Sequence, residues 1–273
     1  MAQQSVPLGT WDEDPDGASI LLATGRARHD LLVIAEPAFL RDLDQVWGRP
    51  SARVRLSFLP GVHAPSAPGQ EDALMSYERG GLGVLVARGR TSLYEGESVR
   101  STTALARIAS GARLRAALLV TRATPLRGSG DVAGGAAPGQ VRVVADHLNV
   151  SGGSLFPAPG MVSAGWDATL TVRLGGLRGV SGSSVVALVP GPLRPSPAES
   201  RALTSLGADA AVTDSVAEAM VLASRGVAVS ALTYLDAPAA GGNLGRAQLS
   251  LRQASGVTLA AVEEILRSLR AGS

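Results

Sequence analysis

A short β-branched run followed by polar residues places the strongest constraint on how this chain folds. Residues 141–144 read Val-Arg-Val-Val, the next polar cluster reads Asp-His-Leu-Asn over 146–149, and a loop rich in Gly and Pro follows. Open α/β sheets place their binding crevices just past the ends of buried strands. The segment therefore predicts a central strand over residues 141–144, with residues 146–149 at its C-terminal end.

Short apolar runs alternate with helical patterns along most of the remaining chain. Strands are predicted over residues 31–35, 53–58, 83–87, 118–121, 185–189, 210–212 and 227–232. Helices are predicted over residues 37–47, 101–110, 197–206, 215–225 and 258–270, and residues 166–174 fit either type. This alternation favours an α/β fold with a mixed or parallel sheet covered on both faces.

Two segments lack such a pattern. Residues 1–17 have no periodicity and are predicted to be an N-terminal extension of a domain over residues 18–273. Residues 124–139 are rich in Gly and are predicted to form a loop inserted between two strands.

Composition excludes several classes of function. All 25 basic residues are Arg, so Schiff-base chemistry on Lys is excluded, and the absence of Cys excludes disulfides and thiol nucleophiles. The net charge of +2 comes from interspersed signs without a basic patch, which argues against nucleic-acid binding. No apolar run reaches the roughly 20 residues of a membrane span, and the first residues are unlike a signal peptide. We expect a cytoplasmic protein without membrane contact, metal or cofactor.

A second motif follows the strand predicted over residues 83–87. Residues 89–96 read Gly-Arg-Thr-Ser-Leu-Tyr-Glu-Gly. An Arg at a strand end suits a bidentate contact to an oxyanion. The alternative is that Arg90 forms a structural ion pair with Glu95 or another acid.

Three further segments stand at predicted strand ends or helix starts. Residues 119–123 read Leu-Val-Thr-Arg-Ala, and residues 206–210 read Leu-Gly-Ala-Asp-Ala, continuing to Glu218. Residues 190–199 read Pro-Gly-Pro-Leu-Arg-Pro-Ser-Pro-Ala-Glu, in which Ser196, Pro197 and Glu199 have the spacing of a helix N-cap and capping box.

Taken in order, these segments resemble the purine nucleoside phosphorylase family of the trimeric type. Residues 146–149 resemble its Asp-His-Ile-Asn, residues 89–96 its Gly-Arg-Phe-His-x-Tyr-Glu-Gly, and residues 190–199 its Gly-Pro-x-Tyr-Glu-Thr-Pro-Ala-Glu. The resemblance covers about residues 31–270. It implies a single α/β domain with a mixed, partly barrel-like central sheet surrounded by helices, and a homotrimer. It also implies phosphorolysis of a purine nucleoside to free base and pentose 1-phosphate, with inorganic phosphate as co-substrate.

The resemblance also implies where the site positions lie. Phosphate-site positions fall at Glu36, Arg90, Ser92, Ala123 and Asp214. Ribose-site positions fall at Tyr94 and Thr213, and base-site positions fall at Arg194, Pro195, Asp236 and Ala237.

Many of these positions depart from the family pattern. Glu36 and Asp214 stand where the family has serines that bind phosphate, and Pro195 replaces the Glu that binds the purine. We expect Arg90 to pair with Glu36 and Asp214, because carboxylates at an anion position repel phosphate.

We therefore expect activity that is weak or lost. The alternative is a non-catalytic structural or regulatory homologue that assembles with an active paralogue. A third possibility is hydrolysis, in which Asp214, Glu36 or Asp236 positions a water molecule.

Overall fold

The structure, a computed structural model, describes residues 17–126, 136–153, 155, 164–191, 194–236 and 244–272. Its strands are β1 (Leu31–Ile34), β2 (Ala52–Val54), β3 (Leu74–Arg79), β4 (Leu82–Ala87), β5 (Ala116–Pro125), β6 (Val141–Asn149), β7 (Val180–Leu188), β8 (Ala210–Val212) and β9 (Ala228–Leu235). Its helices are α1 (Ala18–Thr24), α2 (Pro37–Trp47), α3 (Val99–Thr102), α4 (Ala104–Ser110), α5 (Ala168–Gly175), α6 (Pro197–Ser205), α7 (Val216–Ser224) and α8 (Leu244–Ala271).

The nine described strands form one mixed sheet in the order β2-β3-β4-β1-β5-β8-β7-β6-β9. Strand β9 also pairs with β5, in parallel over Ala116 to Ala123, so the strands from β5 onward close into a barrel. Strand β5 is the branch point because β1 and β9 flank its first half, whereas β8 pairs with its end at Thr124 and Pro125. The fold is therefore a single α/β domain whose sheet is partly barrel-like.

Apolar side chains pack on both faces of this sheet, as the near-continuous apolar strands require. Strand β1 is buried along its whole length. Helices α2 and α8 lie together over one face, where Phe39, Leu40 and Leu43 meet Val262 and Ile265. On the opposite face the core includes residues of α4 and α7. These layers fix the strand ends at which the candidate site lies.

Several sequence predictions match the described elements closely. Helix α2 has the predicted bounds, because Pro37 occupies its first turn and the apolar residues recur at helical spacing toward the core. Helix α6 begins at the predicted cap, with Ser196 accepting from the Glu199 amide and Glu199 accepting in return. Strand β8 also has the predicted bounds.

Residues 146–149 lie at the C-terminal end of β6, as predicted, but they belong to the strand and do not follow it. Strand β6 continues through Asn149, because β7 supplies hydrogen-bonding partners from Val185 to Leu188 after a register shift. Strand β9 leaves β6 after Val143, so the polar half of β6 is paired on one edge and partly exposed. This pairing shows why polar residues can continue the strand.

Other boundaries also differ from prediction. Residues 53–58 form the short strand β2 and then a 3-10 turn over Leu56–Phe58, and residues 101–110 are divided between α3 and α4. The loop predicted over residues 124–139 begins later, since β5 runs to Pro125 and residues 127–135 lie outside the described part. Helix α8 is much longer than the predicted 258–270. Residues 1–16 also lie outside the described part, whereas Gly17 is buried.

Candidate functional site

Four parallel strands end at the same edge of the sheet and carry charged residues there. Strands β4, β1, β5 and β9 are consecutive parallel neighbours. Glu36 follows β1, Arg90 follows β4, Arg122 lies near the end of β5, and Asp236 follows β9. The carboxyl ends of such strands are the usual location of a binding crevice. The fold therefore brings together four residues that are distant in the sequence.

Arg90 is buried at the centre of this edge, and its side chain has four hydrogen-bond partners. Its Nη1 donates to Glu218 Oε2 at 3.0 Å and to Asp214 Oδ1 at 3.2 Å. Its Nη2 donates to the carbonyl oxygens of Ile34 and Val120, both at 2.8 Å. The guanidinium is thus occupied by protein acceptors on β1, β5, α7 and the turn before α7.

Asp214 is held in place by a short turn between β8 and α7. Its Oδ1 accepts hydrogen bonds from the Thr121 hydroxyl, at 2.5 Å, and from Arg90. The next residue, Ser215, has a φ of 68°, in a region that side chains rarely adopt. Such backbone strain persists where the surrounding contacts determine the conformation. The turn therefore directs the Asp214 carboxylate towards Arg90.

A second ion-pair group lies beside the first one. Arg122 Nε donates to both carboxylate oxygens of Glu36, at 3.0 and 2.8 Å, and its Nη1 donates to Asp236 Oδ1 at 3.0 Å. The guanidinium carbon of Arg122 lies 5.2 Å from the centroid of the Phe39 ring. Arg122 therefore joins the ends of β1, β5 and β9 across the edge.

The predicted pairing of Arg90 with Asp214 is present, whereas the predicted pairing of Arg90 with Glu36 is wrong. Glu36 turns to Arg122, because Arg122 on β5 approaches the first turn of α2 directly. Glu218 takes the second position on Arg90. The alternative that Arg90 pairs with an acid is thus correct, but Glu95 is not that acid.

The site has more carboxylates than guanidinium groups. Arg90 and Arg122 face four carboxylates, those of Glu36, Asp214, Glu218 and Asp236. Full ionisation of this set gives a formal charge of −2. A surplus of carboxylates in a partly buried site disfavours anions.

Burial and charge pairing shift the pKa values of these groups. Burial raises the pKa of Glu218 to about 7, with Arg90 opposing and Asp214 adding to the rise. Burial also raises the pKa of Glu36 against the opposing effect of Arg122. Burial alone would lower the pKa of Arg90, but Glu218 and Asp214 outweigh it, and the pKa of Arg90 is raised. The guanidinium remains charged, and Glu218 titrates near neutral pH.

The remaining phosphate-site positions, Ser92 and Ala123, form hydrogen bonds within local secondary structure. The Ser92 amide and hydroxyl donate to Glu95 Oε2, at 2.6 and 3.1 Å, and close a capping box around a 3-10 turn. Glu95 also accepts from Ser66. Ala123 lies within β5, and its carbonyl accepts from the Asp236 amide at 2.8 Å. The hydrogen-bonding groups of Ser92 are therefore taken up by Glu95 in the cap of this turn.

The two ribose-site positions lie against the turn at Gly191. A Cβ atom added to Gly191 would lie 2.7 Å from Tyr94 Cβ and 3.0 Å from Thr213 Cγ2. Gly191 has a φ of 61°, so the close approach and the backbone both require glycine. Tyr94, Thr213 and Gly191 are brought together, and they leave little room between them.

The base-site positions are separated by the fold. Arg194 and Pro195 line a groove of about 570 Å³ together with residues of α6, and Arg194 is exposed. Asp236 faces Arg122 at the strand ends. Asp236 is not among the residues that line the groove. Ala237 lies outside the described residues.

Sequence reasoning missed the roles of Arg122, Thr121 and Glu218. Arg122 follows the strand predicted over residues 118–121, and acids stand at the phosphate-site positions Glu36 and Asp214. A cation and two acids at predicted strand ends are a signal of charge compensation, which could have predicted the Arg122–Glu36 pair. Nothing in the spacing of Glu218 indicated that it reaches Arg90.

The part of the chain that the structure describes has neither a metal-binding cluster nor a membrane-spanning helix. There, no group of three or more His, Asp or Glu side chains is arranged to hold a metal ion. No described helix has both the length and the apolar character needed to cross a bilayer.

Comparison with known proteins identifies relatives by sequence and by fold. No family model matches the chain. Purine nucleoside phosphorylases of Mycobacterium tuberculosis and Mycobacterium leprae are each 31% identical to it, over 242 and 222 residues. The first alignment covers 86% of this chain and 87% of the relative, and the second covers 80% of each.

Solved structures give the same fold at lower sequence identity. Isoform 2 of the Schistosoma mansoni purine nucleoside phosphorylase, solved with cytosine and ribose-1-phosphate, matches with a TM-score of 0.74. Its identity is 18%, and the alignment covers 92% of this chain and 93% of that one. The fold is that of a nucleoside phosphorylase-like α/β protein. On the identity to the mycobacterial relatives, the chain belongs to the purine nucleoside phosphorylase family.

Proposed function

We propose that this family member has weak or no phosphate-dependent cleavage of purine nucleosides. The observation that carries the proposal is the occupation of Arg90 by Asp214, Glu218 and two backbone carbonyls. Arg90 is the phosphate-site position best suited to bind an oxyanion. Both of its terminal nitrogens already have partners, so a phosphate bound there would have to displace them.

The charge around Arg90 opposes this displacement. A carboxylate about 4 Å from a unit negative charge repels it by about 4 kcal/mol at an effective dielectric of 20. Asp214 is bonded to Arg90, and Glu36 is close enough to influence its pKa. A loss of about 4 kcal/mol corresponds to roughly three orders of magnitude in phosphate affinity.

The base side supports the same proposal. Pro195 has no side-chain acceptor for a purine N–H, and Asp236 is paired with Arg122. Removing one group that stabilises developing charge commonly costs a factor of about 10²–10³ in rate. A purine leaving group would thus lack a matched partner at these two positions.

A second candidate function is a non-catalytic structural or regulatory homologue that assembles with an active paralogue. The same occupied Arg90 favours it, because the fold is retained while the anion position holds protein groups. We propose a homotrimer in the cytoplasm, by analogy with the resembled type, and treat residues 18–273 as its folding unit. Light scattering of the purified chain tests the trimer, and a mass of one or two chains would reject it.

The activity assay follows free hypoxanthine from inosine with phosphate present and absent. The Mycobacterium tuberculosis relative, named a purine nucleoside phosphorylase, is the positive control. We expect phosphate-dependent release at least about a thousandfold below the control, as the charge argument implies. Release at a comparable rate would reject the proposal. Release that is independent of phosphate, and abolished by Asp214→Asn, would identify a hydrolase.

A further inference from the structure

Glu218 is a buried acid at the rear of the site. It lies in the first turn of α7, its side chain is 4% exposed, and its Oε2 is 3.0 Å from Arg90 Nη1. The Arg90 side chain is equally buried. Bulk water therefore has little access to the pair, and the charge of each partner strongly affects the ionisation of the other.

Two small cavities border Glu218, each with a volume of about 10 Å³. One is also lined by Ser92, Thr213 and Asp214, on the side of the strand ends. The other is lined by His63 and Ser101, on the side of the loop before β3. A volume of this size is about that of one water molecule, so Glu218 has a small space on each of two sides.

The charged groups that face Glu218 come from three segments. Arg90 follows β4, Asp214 precedes α7, and His63 borders the outer cavity while pairing with Glu97 at 2.9 Å. Helices α3 and α4 contribute hydroxyl and apolar groups to the same cavity, from Ser101, Thr102 and Leu105. Arg90 and Asp214 thus dominate the local charge, and His63, which is paired with Glu97, is the other titratable group that borders these cavities.

Protonation of Glu218 would change the balance around Arg90. The proton binds a carboxylate oxygen, and the neutral acid no longer compensates the guanidinium charge. Asp214 then remains as the carboxylate bonded to Arg90, while Nη2 keeps its bonds to the two strand carbonyls. Burial places the pKa of Glu218 at about 7, so this change falls within the physiological range.

We propose that the protonation state of Glu218 gates the oxyanion affinity of the site, which is lower above neutral pH, where two carboxylates compensate Arg90, and higher below it, where Asp214 alone does. This inference rests on the proposed function, in which the protein's own carboxylates occupy the anion position. The ligand class is a tetrahedral oxyanion such as phosphate or sulfate. Regulation by pH thus acts through a group behind the site.

The test is the pH dependence of sulfate affinity of the full chain, measured by calorimetry between pH 5.5 and 8.5. Sulfate remains a dianion over this range, so its own titration does not contribute. We expect affinity at least tenfold higher at pH 6 than at pH 8, with a midpoint near the pKa of about 7. Glu218→Gln should bind sulfate at pH 8 as well as the unaltered chain binds it at pH 6.

Two variants separate Glu218 from its neighbours. His63→Gln removes the other titratable group and should keep the midpoint, whereas loss of the pH dependence would assign the effect to His63 and overturn the inference. Glu95→Gln removes a carboxylate that bonds Ser92 and Ser66 rather than Arg90, and its profile should match that of the unaltered chain.

The outcomes also separate this inference from the proposed function. Micromolar sulfate binding at pH 8 would reject the proposed function itself. Weak binding that does not change between pH 6 and pH 8 would leave that proposal standing and overturn the gating. If Glu218→Gln fails to fold, the profiles of the unaltered chain and of His63→Gln still decide the question.

Discussion

Arg88 and Arg90 flank Gly89, and each pairs with two carboxylates in a different setting. Arg88 Nη1 contacts both oxygens of Asp44, at 2.7 and 2.8 Å, and its Nε donates to Glu71 at 2.5 Å. The side chains of Asp44 and Glu71 remain about one-third exposed. Arg88 thus links α2 to the loop before β3 at the rim of the sheet.

Arg90 also pairs with two carboxylates, but in a site that is much less exposed to solvent. The side chains of Glu218 and Asp214 are 4% and 18% exposed, and two strand carbonyls complete the coordination. Charge pairs at a surface contribute little, whereas a buried charge that loses its partner is costly. One arginine of this loop therefore joins secondary-structure elements near the surface, while the other is enclosed by carboxylates and strand carbonyls.

The largest effect on stability is expected at Arg90. Arg90→Leu leaves Glu218 and Asp214 without their guanidinium and two carbonyls without a donor. We expect a loss of about 3–5 kcal/mol in the free energy of unfolding, measured with urea at pH 7.5. A loss below about 1 kcal/mol would show that Arg90 is no more critical than a surface arginine.

The next effect is a pH dependence of stability that comes from Glu218. Its pKa is about 7 in the folded protein, above the ordinary value of 4.5, so the folded state holds a proton that the unfolded state has released. Its contribution is complete below pH 4.5 and is lost as the pH rises to about 7. We expect this contribution to be about 3 kcal/mol in urea unfolding.

Two variants test whether Glu218 causes this pH dependence of the unfolding free energy. Glu218→Gln should remove it, whereas Glu71→Gln, the corresponding change beside Arg88, should leave it in place. An unaltered pH dependence of the unfolding free energy in Glu218→Gln would contradict the assignment to Glu218.

The smallest effect is expected at Arg88. Arg88→Leu removes pairs whose acids remain about one-third exposed to water. We expect a loss of about 1 kcal/mol under the same conditions, with sulfate binding unchanged. If Arg88→Leu destabilises the protein as much as Arg90→Leu does, the contrast between the two arginines fails.

Much of the fold could be predicted because local signals agree with the final packing. Helix α2 and the cap of α6 have start signals in the sequence, and the apolar residues of α2 face the core. The extension of β6 through Asn149 could not be predicted, since its hydrogen bonds come from β7, more than thirty residues away in sequence. Periodicity does not identify the partner of a strand.

The site could be predicted only in part for the same reason. The pairing of Arg90 with Asp214 followed from charge at two resembled positions. The partner of Glu36 depends on how closely Arg122 approaches α2, and the partner of Arg90 on α7 depends on the turn at Ser215. These distances are set by the packing of separate strands, which the order of residues does not show.

The most direct test of the central claim is a calorimetric phosphate titration at pH 8. The claim is that carboxylates of the chain itself occupy the anion position beside Arg90. We predict no saturable binding below about 10 mM phosphate for the unaltered chain. We predict at least about a hundredfold gain for Glu36→Ser with Asp214→Ser. The matched control, Asp44→Ser with Glu71→Ser beside Arg88, should gain nothing. Micromolar binding by the unaltered chain, or equal gains in both double variants, would contradict the claim.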